Sequence, residues 1–99
     1  MSEIILIGWM DCEPGDRDIW LEHAPELSKA TLEEPGCFRH VIAADPHSST
    51  ALITHSHYAS LEALNEHVKT AHMARFVELT KHCRMHTKRV ERFEAKKIS

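Results

Sequence analysis

The sequence has no long apolar run, no basic leader, no paired cysteines and no excess of positive charge. Each absence removes a class of protein. The apolar run Ile4–Ile7 is too short for a signal peptide or a membrane span, and Met1-Ser2-Glu3 carries no basic residue. A cytoplasmic location and no membrane partner are therefore expected. The three cysteines, Cys12, Cys37 and Cys83, are odd in number, widely spaced and form no C-x-x-C pair. That excludes a disulfide framework and a thiolate zinc site, and suits reduced, packed thiols. The net charge of −3 argues against a nucleic-acid partner. The local basic stretch Arg84–Arg92 is broken by Glu91 and followed by Glu94, so it reads as a solvated strand face. There is no internal repeat and no low-complexity linker.

With 99 residues the chain is expected to form a single domain over 1–99. A chain of this size buries only about 60–65% of its unfolded surface, so a second copy covering one face would relieve a marginal core. What the sequence has in abundance is histidine, nine of them. Their protonation would turn the negative net charge positive near the ordinary imidazole pKa of about 6.5.

Glu3–Cys12 alternates Ile4, Leu6, Gly8 and Met10 against Ile5, Ile7 and Trp9, a strand apolar on both faces and so covered on both. After the turn Pro14-Gly15-Asp16, a helix runs to about Glu33 with Ile19, Trp20, His23, Leu27 and Ala30 in one stripe. Pro25 is expected to kink that helix or force a restart. Pro35-Gly36 ends it. Cys37–Ala44 and Thr50–Tyr58 read as a hairpin joined by Asp45–Ser49. Ser60 caps a short helix with Leu61, Leu64 and Val68, and Thr70 caps a second with Met73, Phe76, Val77 and Thr80. Arg84–Lys97 is the last strand. The order βαββαβ, its second helix broken, is the ferredoxin-like α+β unit with a four-stranded antiparallel sheet.

Three pieces in this order carry a resemblance: Glu34-Pro35-Gly36-Cys37; Ala44-Asp45-Pro46; and Tyr58-x-Ser60-x-Glu62-Ala63-Leu64-x-x-His67-x-x-x-x-His72. Together they resemble the antibiotic-biosynthesis monooxygenase family, quinol-monooxygenase-like proteins with a dimeric α+β barrel. The resemblance implies a homodimer with two sheets face to face and a pocket between each sheet and its helices. It also implies a cofactor-independent monooxygenase that joins O₂ to a small aromatic or quinol-type molecule without metal or flavin. That chemistry needs an electron-rich phenol, a group to take its proton and a dry pocket around the anion. Members commonly carry an acidic residue where this chain has Ser56, two positions before Tyr58. The positions that serve haem in haem-degrading relatives fall on Trp9, His67 and Val77, and a valine cannot ligate iron.

The candidate catalytic residues are His67 or His72 as base, with Tyr58 and Ser56 orienting a substrate oxygen. A five-residue spacing does not place both histidines on one helical face, but a break near Lys69-Thr70 would let both turn inward. Either could instead be structural, tethering the helix junction. Thr54 and Leu64 join Trp9 and Trp20 as candidate substrate-binding walls, though large aromatics at such places also serve as core. A different constellation competes. His55 and His57 share a strand face, and a hairpin register placing His40 opposite His55 would cluster His40, His55 and His57 as a metal site or a hydrogen-bonded interface network. A non-catalytic small-molecule-binding dimer is the third reading.

Overall fold

The computed structural model describes residues 2–99. Seven elements follow in order: β1 (Glu3–Cys12), α1 (Asp16–Leu32), β2 (Cys37–Ala44), β3 (Ala51–Tyr58), α2 (Leu61–His67), α3 (Ala71–Thr80) and β4 (Met85–Ala95). The strands form one sheet in the order β2-β3-β1-β4, every neighbouring pair antiparallel. This is the expected ferredoxin-like arrangement, with β4 slightly shorter at both ends than its sequence suggested.

Each boundary has a local cause. Gly15, at φ 90°, precedes α1, and Gly36, at φ 81°, ends the turn before β2. Both are left-handed positions that a side chain would strain. The helix α1 is continuous through Pro25, so no restart occurs. Pro25 itself lies exposed on α1. The Ser60 side chain accepts from Ala63 N–H and caps α2; Thr70 accepts from Met73 N–H and caps α3.

Alternation sorts the sheet into two faces. On one, Ile4, Met10, Cys12, Leu52, Ser56 and Tyr58 are buried beneath the helices. The core there is divided. Ile4, Cys37, Tyr58 and Leu64 form one cluster; Met10, Cys12 and Leu52, with Trp20, Leu21 and Ile42 against them, form another. Gly8 sits between Leu6 and Met10 on that face and contributes no side chain. A Cβ there would meet Thr54 Oγ1 at 2.3 Å, so the glycine lets Thr54 lie across β1. The other face carries Ile7, Phe38, Val41, Ile53 and Phe93, each between 40% and 56% exposed. No helix among the described residues is long and apolar enough to cross a membrane.

One register differs from expectation. The β2–β3 pairing slips between Cys37 and Arg39, so Cys37 faces Tyr58 while His40 faces Ser56 and Val41 faces His55. One extra residue in a strand moves everything beyond it to the opposite face. His40 thus points to the helices, and His55 and His57 to the open face. The expected His40, His55 and His57 cluster does not form within the chain.

Candidate functional site

Between the two core clusters lies a cleft of about 430 Å³. Leu6, Met10 and Trp20 line it with Thr54, Ser56 and Tyr58, and Leu64, His67 and Phe76 close it from the helices. Its walls are mostly apolar; His40, Ser56, Tyr58 and His67 make a polar end, and Thr80, Lys81 and Lys88 also line it. Trp20 packs edge-on against Phe76 with centroids 4.8 Å apart.

Those polar groups come from separate elements. His40 reaches in from β2, its Nδ1 2.8 Å from Ser28 Oγ of α1. Burial, followed by the neighbouring His67, drives its pKa down to about 4, so it is a neutral ring at pH 7. Tyr58, at the end of β3, is almost wholly enclosed. Burial pushes its phenol up to about 12, against the opposing pull of the Ser56 hydroxyl. It can donate a hydrogen bond at neutral pH but cannot act as the base. The His67 ring lies 5.6 Å from the Tyr58 ring and 5.7 Å from that of His40.

His67 is 5% exposed and ends α2; its Nδ1 is 2.8 Å from Glu34 Oε2. His72, in the first turn of α3, directs Nε2 to the same oxygen. In one continuous helix a five-residue spacing would turn these rings about 140° apart. The Thr70 break resets the phase: its hydroxyl donates to His67 O at 2.7 Å and caps the next helix. Glu34 itself sits in the turn after α1, fixed by its N–H to Thr31 O at 3.0 Å and by Cys37 N–H to its carbonyl at 3.2 Å. An ionised carboxylate has no hydrogen to give, so the ring nitrogen facing it carries the hydrogen. A neutral His67 in this pairing is the Nδ1–H tautomer, with its lone pair on Nε2.

The structure thus brings His67, Tyr58, Ser56, Thr54, Trp20 and Leu64 together around one cleft. His72 stands behind His67, on the far side of Glu34. Trp9 is a correction. Its place in the alternation turns it to the open face, where Nε1 donates to Asp45 Oδ2 at 2.9 Å and the Arg89 guanidinium lies 5.3 Å from the ring centroid. On that same face His57 meets Glu3 at 2.5 Å and packs edge-on against Phe38. One residue of the cleft, His40, and the carboxylate behind it, Glu34, were not anticipated as residues of this site. Glu34 follows another glutamate at a helix end and reads as solvated; only its neighbours Pro35-Gly36 hinted that the chain turns there. His40 was assigned to the wrong face by the unseen bulge.

The family model for antibiotic biosynthesis monooxygenase matches residues 4–79. Among solved structures, a conserved protein of unknown function from Bacteroides thetaiotaomicron, described as a possible oxidoreductase, is 25% identical. The match covers 95% of this chain and 98% of that one with a TM-score of 0.82. Two proteins named after the antibiotic biosynthesis monooxygenases are similar in fold. The one from Nitrosomonas europaea has a TM-score of 0.85 at 15% identity, covering 95% of this chain and 90% of that one. The one from Chloroflexus aurantiacus has a TM-score of 0.84 at 20% identity, covering 99% and 97%. No curated protein sequence matches the chain.

Proposed function

Since the chain belongs to the antibiotic biosynthesis monooxygenase family, we propose that it is a cofactor-independent monooxygenase whose base is His67 and whose substrate is a small aromatic or quinol-type molecule. The observation that carries this reading is His67 in the wall of a mostly apolar cleft, held from behind by the largely enclosed Glu34 carboxylate. Glu34 takes the part of the carboxylate that Ser56 does not supply, from a different element.

His67 Nε2 takes the proton of a phenol or of an activated ring CH₂. The Tyr58 phenol, kept protonated by burial, donates to the oxygen on which the negative charge gathers, and Ser56 and Thr54 extend that polar edge. Neutral His40 adds no charge beside the anion. Trp20, Leu64 and Phe76 keep water from it. The anion reduces O₂; one oxygen atom replaces two hydrogens as a carbonyl and the other leaves as water, so O₂ supplies the whole oxidant. The exposed apolar residues of the open sheet face support a homodimer through that face.

Oxygen uptake with hydroquinones and anthrones tests the reading. The native chain is expected to consume one O₂ per substrate without added metal or flavin. His67→Gln is expected to lower kcat/KM by about 10²–10⁴-fold. Equal turnover in that variant would refute the assignment of the base.

A further inference from the structure

The catalytic reading needs only His67 and the carboxylate that holds it. It leaves His72 without a role, although His72 reaches the same Glu34 oxygen from a different helix. Three elements thus deliver three donors to one point: the turn after α1, the end of α2 and the start of α3. One donor atom from each of Glu34, His67 and His72 lies within 4.8 Å of the others.

The electrostatics of the point are unusual. The Glu34 side chain is 11% exposed and the His67 side chain 6%. Among the described residues, the ion-pair partners of Glu34 are these two imidazoles, and no lysine or arginine approaches it. A nearly enclosed carboxylate is costly unless it is paired or bound to a metal. Two imidazole nitrogens and one carboxylate oxygen are borderline ligands that suit zinc, cobalt, nickel or iron, whereas calcium and magnesium favour all-oxygen sites. Bond lengths of about 2.0–2.1 Å place neighbouring donors about 3–3.5 Å apart. The three groups would need to spread slightly where they now share hydrogens, a small side-chain adjustment.

We propose that Glu34, His67 and His72 form a site for a first-row divalent transition-metal ion, with Glu34 carboxylate, His67 Nδ1 and His72 Nε2 as ligands. Water or a bound anion completes the coordination. The cation gives Glu34 a fixed countercharge that does not depend on a proton held by either imidazole. Binding through Nδ1 leaves the hydrogen of a neutral His67 on Nε2. An occupied site would therefore switch off His67 as a base, a regulatory consequence that rests on the catalytic reading; the metal site itself does not.

The test is binding, not turnover. Untagged protein is titrated with Co²⁺, followed by ligand-field absorption, and with Zn²⁺ by calorimetry. One ion per chain is expected, with affinity lowered about 100-fold or more in both Glu34→Gln and His72→Ala and unchanged in His82→Ala, an exposed control. No binding, or binding that Glu34→Gln and His72→Ala leave intact, overturns the proposal. Should a variant fail to fold, imidazole ¹⁵N resonances of the native chain decide. Zn²⁺ is expected to move His67 Nδ1 and His72 Nε2; shifts confined to other histidines overturn it. Loss of oxygen uptake in His67→Gln says nothing about this outcome, so the two readings fail separately.

Discussion

Glu34 Oε2 faces two imidazoles, and that one atom organises the polar end of the cleft. Around it the groups divide their chemistry by environment. Tyr58 is kept protonated by burial and so retains a hydrogen to donate. Tyr58→Phe is thus expected to lower kcat by about 10²–10³-fold, the usual cost of a lost anion-stabilising donor. The pH dependence of kcat/KM should keep its shape, because another group supplies the base; a changed profile would reassign Tyr58. His40 is neutral in the fold, with a pKa of about 4 against about 6.5 in the unfolded chain. Between those values the unfolded chain binds the additional proton. Stability should therefore fall as pH drops from about 6.5 toward 4, by on the order of 2–3 kcal/mol in all. His40→Gln should flatten that slope in chemical denaturation at stepped pH, and an unchanged slope would place the titration elsewhere.

At the scale of elements, local chemistry made most of the fold legible. Period-two alternation marked β1, and the hydroxyls of Ser60 and Thr70 marked both helix starts. Thr70 does more than cap, since its break lets His67 and His72 meet. Thr70→Ala should cost about 1 kcal/mol of stability, and more in activity than Ser60→Ala, because it also loosens that meeting. Thermal melts and oxygen uptake on the two variants check this. Gly36 is the hinge that places Glu34. A Cβ there would meet Ala63 Cβ at 3.0 Å at a φ of 81°. Gly36→Ala should destabilise by about 1–3 kcal/mol, read as a lower denaturation midpoint. What the sequence hid was pairing rather than element type. The slip between Cys37 and Arg39 has no residue signature, yet it alone decides whether His40 joins Ser56 or His55. Glu34 was hidden for a related reason: Glu33 and Glu34 are chemically alike, and only the turn geometry selects which one is enclosed.

At the scale of the whole molecule, the helices cover one face of the sheet and leave the other to its neighbours. Ile7, Phe38, Val41, Ile53 and Phe93 stand on that uncovered face among His55, His57 and Trp9. Single exposed apolar residues are ordinary, but five on one sheet surface form a patch. Ile7→Lys should give a monomer in sedimentation and leave the cleft side of the sheet intact; a dimer that survives would move the interface elsewhere. The uncovered face also changes what stability means for this chain. If two copies complete one another, the folded state is second order in protein, and its midpoint temperature must rise with the amount in the tube. Dilution would then act on this molecule as a denaturant does on others, and two samples that differ only in volume would report different melting points.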